Sequence, residues 1–177
     1  MNSKLIIKGK FVTLSRFQKN DISKKYLSWL NDKEVVRYSN QRFIDHTLIS
    51  SKKYLKSFSG SKNLFLSIKL NEDNQMIGTM TAYFSFHNTV DVGIMVGEKS
   101  LWGMGYGKDA WNALLFWLEK EFNVRKITAG TLASNRGMLK LIKQSGMSLE
   151  ATKKDHEMLN NQPEDVLYFC KFNKSDR

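Results

Sequence analysis

The pattern of apolar and polar positions divides the chain into short alternating stretches, broken by four segments of helical spacing. Residues 4–14 alternate loosely and predict an edge strand. Asp21 stands where an N-cap belongs, ahead of Ile22, Tyr26, Leu27, Trp29 and Leu30 at helical spacing, and Asn31-Asp32 closes that helix. Thr47 caps a second helix with Ile49, Tyr54, Leu55 and Phe58 on one face, ending near Gly60. Residues 64–70 and 76–86 read as a hairpin about Asn71-Glu72-Asp73-Asn74, and His87-Asn88 turns into a strand over 90–96. A helix over 108–122 carries Trp111, Leu114, Leu115, Leu118 and Phe122 in one stripe. A strand over 126–131 follows, then a helix over 136–145, with Gly146 placed to stop it in a left-handed cap. Residues 147–155 and 166–172 form a last hairpin around Asn160-Asn161-Gln162-Pro163. This order predicts an α/β (α+β) fold: one mixed, twisted sheet of about seven strands with helices on both faces.

The most informative stretch joins the 90–96 strand to the helix after it, Trp102-Gly103-Met104-Gly105-Tyr106-Gly107-Lys108. A glycine-rich turn between a strand and a helix N-terminus suits an anion. The glycines let the backbone approach closely, the first amides of the helix have no internal acceptor, and the helix dipole adds partial positive charge. The loop is no P-loop, because Asp109 follows Gly107-Lys108. It also misses the dinucleotide spacing, which needs two residues before the last glycine.

Composition narrows the class. A chain of 177 residues predicts one domain, over 1–173, with 174–177 as a frayed tail. A 41% hydrophobic share argues against disorder. No apolar run approaches the roughly 20 residues of a membrane span. Charge returns after Leu5-Ile6-Ile7, so no signal-peptide core is evident. Cys170 is the only cysteine, which fits a reducing, cytoplasmic setting. The net charge of +11 reads mainly as solubility, because the lysines are dispersed, and partly as attraction for a polyanionic ligand. No nucleic-acid motif and no Cys/His cluster appear, so neither a nucleic-acid partner nor a metal is expected.

The wider order is strand, Trp-Gly-x-Gly-Tyr-Gly-Lys-x-Ala, helix, strand 126–131, Asn135-Arg136-Gly137-Met138, helix, Ser145-Gly146-Met147. It resembles the acetyl-CoA-binding core of the GNAT N-acetyltransferase superfamily. Trp29-Leu30-Asn31-Asp32-Lys33-Glu34-Val35 is similar to a segment of the branch holding ribosomal-protein N-terminal acetyltransferases and amino-sugar acetyltransferases. The resemblance runs from about Ile6 to Phe172.

That resemblance implies an enzyme moving the acetyl group of acetyl-CoA to a primary amine. The pantetheine arm would pair with backbone groups of Ile94, Met95 and Val96. The pyrophosphate would lie on the loop, Gly103, Met104, Gly105, Tyr106, Gly107 and Lys108. Asn135 would touch the pantetheine and equally serves as a helix cap. Trp102 stands where the family usually has Arg or Gln, and Ile142 where many relatives carry an acidic tyrosine. Ser145, Ser134 and Tyr83 are the hydroxyls left as candidate acids. Asp91 is the candidate base, as the carboxylate on the strand beside the cofactor, with Glu98 and His87 behind it. His46 and His156 have no ligating neighbours in the sequence.

The acceptor region implied by the fold holds Trp29, Asn31, Asp32, Arg37, Tyr38, Arg42 and Phe43, with Tyr83 on the hairpin. Arg37 and Arg42 suit an anionic group, which favours a small molecule such as an amino sugar or its nucleotide. A peptide N-terminus is the alternative acceptor. A non-catalytic acyl-CoA-binding protein is the alternative class, motivated by Ile142. A homodimer is compatible with the resemblance.

Overall fold

The structure, a computed structural model, describes residues 5–173; residue 4 of the expected first strand and the 174–177 tail lie outside the described residues. Eight strands form one sheet in the order β1-β2-β3-β4-β5-β6-β8-β7. The strands are β1 Ile6–Lys8, β2 Val12–Arg16, β3 Leu64–Leu70, β4 Met76–Phe84, β5 Thr89–Val96, β6 Lys126–Leu132, β7 Ser148–Leu159 and β8 Gln162–Phe172. Every pairing is antiparallel except β5 with β6. The helices are α1 Lys24–Leu30, α2 Leu48–Ser57, α3 Tyr106–Lys120 and α4 Arg136–Gln144.

Strand alternation separates the two faces. Leu64, Leu66, Ile68 and Leu70 of β3 join Val90 and Val92 of β5 under α3 and α4, around the fully buried Trp111, Leu114 and Leu118. On the other face Phe65 stacks with Phe17 and Phe58 beneath Tyr26, Trp29 and Leu30 of α1. Gly97 permits this second layer: a Cβ there would stand 2.1 Å from the Trp29 ring. Burying large side chains of this kind contributes about 1.5–3 kcal/mol each.

Several expected boundaries move. The first strand divides in two, which gives eight strands. The amides of Lys10, Phe11 and Val12 turn onto the Asp109 carboxylate of α3, at 2.9, 2.7 and 3.0 Å, and leave the ladder. Ser23, not Asp21, caps α1, its Oγ accepting from Tyr26 N at 3.1 Å. Asp21 instead pairs with Lys69 Nζ at 2.9 Å, a contact across the fold that local spacing does not reveal. Thr47 caps α2 as expected, but Ile49 points outward and is 80% exposed. Helix α3 begins at Tyr106 and ends at Lys120, because the left-handed Gly105 (φ +95°) caps it directly. Phe122 lies beyond the helix and packs on Trp117 and Phe84. Gly146 (φ +78°) follows α4 in the expected left-handed conformation.

The last hairpin is longer than its hydrophobic pattern suggests. Asn160 and Asn161 both take positive φ (50° and 60°), forming a two-residue turn that matches the twist of the strands. This extends β7 to Leu159, starts β8 at Gln162, and sets Glu157 opposite Glu164.

Candidate functional site

Strands β5 and β6 hold only three rungs: Thr89 with Lys126, Val90 with Ile127, and Asp91 with Thr128. Beyond them the strands part, while β6 continues along β8 to Leu132. Alternation on β5 shows which backbone groups face the gap. Ser85 N donates to Thr89 O, and Gly97 N donates to Ile77 O. The odd-numbered residues of β5 therefore exchange hydrogen bonds with β4, and Val92, Ile94 and Val96 turn theirs toward the gap. Met95, expected beside Ile94 and Val96, presents its peptide groups to Thr79 instead, and its side chain packs against the α1 layer.

The glycine loop sits at the end of this gap. Gly103 (φ +78°) and Gly105 (φ +95°) both occupy the left-handed region, where an L side chain is strained. The first helical hydrogen bond runs from Asp109 N to Gly105 O. This leaves the amides of Tyr106, Gly107 and Lys108 at the helix N-terminus without an intrahelical acceptor, and no side chain caps them. Met104 differs: its amide donates to Leu101 O at 3.3 Å. Trp102 folds back, its indole Nε1 donating to Val96 O at 2.7 Å. The tryptophan thus ties the loop to β5 in place of a charged side-chain contact. Three orphan amides, two left-handed glycines and a helix dipole fit a pyrophosphate.

Asn135 caps α4, its Oδ1 accepting from Met138 N at 3.2 Å. Ile142, on the inner face of α4, is fully buried in the core. Ser145 sits at the far end of that helix, about 15 Å from Asn135, and its hydroxyl donates to Ile142 O at 2.7 Å. Ser134 Oγ is buried without a partner. Tyr83 lies opposite Asp91 on β4, with its hydroxyl 2.8 Å from that of Tyr54. Burial and the Tyr83 contact hold the Tyr54 phenol well above its ordinary range, so it stays protonated.

Where the strands part, a cleft of about 260 Å³ opens on the α1 face. It is lined by Asp91, Val92 and Gly93 of β5, Gly130, Thr131 and Leu132 of β6, Glu157 of β7, Tyr168 of β8, and Tyr38 and Asn40 above them. Asp91 has one side toward solvent, yet the strand walls desolvate its carboxyl and raise it above the usual range. A 2.8 Å hydrogen bond from Thr128 Oγ1 opposes that shift. Glu98 lies apart from the cleft, 2.6 Å from Lys25 Nζ, and the hydrogen bonds from Lys25 and Ser100 hold it below its ordinary range. His87 is exposed in its turn, and His46 Nε2 lies 3.1 Å from Gln41 O. Among the described residues no three His, Cys, Asp or Glu side chains gather as a metal site.

The acceptor residues expected on the early helices divide. Tyr38 lines the cleft, and Phe43 is 70% exposed beside it. Trp29 is buried core. Asn31 clasps the His46 peptide with both ends of its amide, at 2.9 Å each. Asp32 pairs with Lys99 at 2.8 Å. Arg37 is exposed and lies over the Tyr38 ring. Arg42 reaches β7, binding Glu157 Oε2 at 3.2 Å and Met158 O at 3.1 Å, and so fastens the 38–43 segment as a roof. Sequence reasoning missed Thr128, Glu157 and Tyr168. Their strands were legible in part, but the Asn-Asn turn was the only local signal for the hairpin register that brings Glu157 to the cleft.

A family model for the acetyltransferase (GNAT) domain matches residues 12–148. A search of curated proteins finds no match. Among solved structures, an acetyltransferase of the GNAT family from Bacillus anthracis superposes with TM-score 0.82 at 20% identity, covering 96% of this chain and 99% of that one. A ribosomal-protein-S5-alanine acetyltransferase from Vibrio fischeri gives 0.82 at 17% identity, covering 98% and 99%. A spermidine N-acetyltransferase from Vibrio cholerae, in complex with CoA and spermine, gives 0.81 at 14% identity, covering 92% and 95%. At these identities the likeness is one of fold.

Proposed function

Because the chain belongs to the GNAT acetyltransferase family and is an acetyl-CoA-dependent acetyltransferase, we propose that it acetylates a primary amine of a small cytoplasmic molecule, an amino sugar being the acceptor the sequence favours. One observation carries this reading. The gap between β5 and β6 joins a helix N-terminus suited to pyrophosphate with a cleft holding a raised carboxyl. The pyrophosphate of acetyl-CoA lies on the amides of Tyr106, Gly107 and Lys108. Its pantetheine pairs with the backbone of Val92 and Ile94 and the amide of Val96, and Asn135 Nδ2 contacts the same arm. Among the described residues no helix is long and apolar enough to cross a membrane.

The acceptor arrives as an ammonium and gives a proton to Asp91. Its nitrogen then forms a bond to the thioester carbonyl carbon, the carbon–sulfur bond breaks, and the electron pair leaves on sulfur. The products are the amide, the CoA thiol and one proton released to solvent. Positioning supplies most of the rate, and a carboxyl raised toward working pH suits the base. A thiolate leaves readily near neutral pH, so the burial of Ile142 is no obstacle. The roof fastened by Arg42 favours a small acceptor over an open peptide groove. A polypeptide N-terminus is the second reading, supported by the exposed Phe43, Ile44 and Ile49 on and beside the roof.

Thiol release from acetyl-CoA tests the proposal, with a panel of amino sugars, their nucleotides, polyamines, aminoglycosides and ribosomal N-terminal peptides. Turnover with a small amine, lost in Asp91→Asn while acetyl-CoA still binds, is the expected result. Silence across the panel, or full activity in Asp91→Asn, overturns it.

A further inference from the structure

Two carboxylates line the acceptor cleft, Asp91 from β5 and Glu157 from β7, and no lysine or arginine lines it with them. This runs against the net charge of +11. The cations nearby engage residues that line the cleft: Arg37 lies over the Tyr38 ring, Lys153 over the Tyr168 ring, and Arg42 pairs with Glu157. Arg42 touches only Oε2 of Glu157, through Nη2, which also donates to Met158 O. A phosphate placed there would meet two carboxylates.

We propose that Glu157 is the specificity-determining residue of this cleft, holding a second ammonium group of a polyamino acceptor whose first amine meets Asp91. The inference rests on the acetyltransferase reading and names its acceptor class: a small molecule with two or more amines, not an anionic sugar nucleotide. The rings of Tyr38 and Tyr168 flank the cleft and suit the carbon framework of such a molecule. Glu157 is a partly exposed side chain whose Oε1 faces no partner among the described residues, which leaves one oxygen for the ligand. Linear polyamines and aminoglycosides share this chemistry, and separate arms of the experiment tell them apart.

The test measures kcat/KM on the full chain for putrescine against aminobutanol of equal length, for an aminoglycoside, and for an amino-sugar nucleotide. The expected result is a preference of about tenfold for the diamine or the aminoglycoside, expressed in KM, as one partly desolvated ion pair provides. In Glu157→Gln that ratio falls to about one, and in Glu157→Lys the nucleotide becomes the better acceptor. Arg42→Met separates recognition from support of the roof: the ratio holds or rises if Glu157 recognises an ammonium. Equal loss of the ratio in Arg42→Met and Glu157→Gln overturns the inference, as does a wild type that prefers the nucleotide. Those outcomes leave acetyl transfer intact. Absence of transfer to every amine, with acetyl-CoA bound, overturns the transferase reading and this inference with it.

Discussion

Thr128 Oγ1 donates a 2.8 Å hydrogen bond to Asp91 Oδ1 on the last rung before β5 and β6 part. The two residues therefore stand at the crotch of the fork, and the hydroxyl orients the carboxylate there while stabilising its charged form. Removing it in Thr128→Val raises the carboxyl further. A base must be ionised, so the acid limb of the kcat/KM profile moves to higher pH. A loss of about fivefold on that limb, from one hydrogen bond, with the high-pH plateau retained, is expected. A uniform loss at every pH would assign Thr128 to folding alone.

Asp91 also links pH to stability. Desolvation raises its folded pKa above the unfolded value. The stability it contributes is present below the unfolded pKa and is lost as pH rises through the folded one. Asp91→Asn thus raises Tm at neutral pH and leaves it unchanged at about pH 3, below the ordinary carboxylate range. The gain is small, because one side of the carboxylate reaches solvent. Thermal melts at the two pH values check the sign, and a variant less stable at neutral pH contradicts it.

Gly105 joins two requirements, the left-handed φ of +95° and the approach of an anion to the helix N-terminus. Gly105→Glu is expected to abolish acetyl-CoA binding in calorimetry while far-ultraviolet circular dichroism stays native, since nothing lies within 4 Å of a Cβ there. Gly105→Ala isolates the backbone strain, about 1–2 kcal/mol, and keeps measurable binding. Binding retained by folded Gly105→Glu removes the phosphate cradle from this loop.

Trp102 anchors that loop through its indole nitrogen. Trp102→Phe keeps a ring and deletes the donor. The KM for acetyl-CoA is expected to rise about fivefold, the worth of one hydrogen bond near 1 kcal/mol, with kcat little changed. Steady-state kinetics at saturating amine decide it, and an unchanged KM shows that the anchor does not shape the loop.

Asp109 receives three backbone amides from the β1–β2 turn. Asp109→Ala leaves those donors to water and is expected to cost about 2–3 kcal/mol in urea unfolding. A cost below about 0.5 kcal/mol, the scale of an ordinary surface substitution, would show that the turn holds without it.

The resemblance carried by the glycine loop and Asn135 pointed to the acyl donor, and the hydrophobic periods to the strands and helices, because both are written over short spans of chain. A glycine-rich turn after a strand binds anions through its own backbone, so neighbouring residues suffice to recognise it. Thr47, Asn135 and Gly146 were legible as caps for the same reason: each acts within a few residues of itself. Asp21 was misread because its partner, Lys69, is remote in sequence and Ser23 was free to take the cap.

The acceptor side was decided only by the tertiary structure. Periodicity places Asp91 and Thr128 on strands, but only the parallel register of β5 and β6 makes them partners and shows that Asp91 faces the cleft. Trp29, Asn31 and Arg42 formed a plausible binding cluster in sequence. In the folded chain they meet Gly97, His46 and Glu157, and each contact engages the group that a ligand would have used. Glu157 is set opposite Glu164 by a two-residue turn, and Tyr168 enters the cleft through its pairing with Gly130 of β6. A charge acts through space, so its role belongs to whichever side chains the fold brings beside it, and the Arg42–Glu157 contact spans more than a hundred residues of chain.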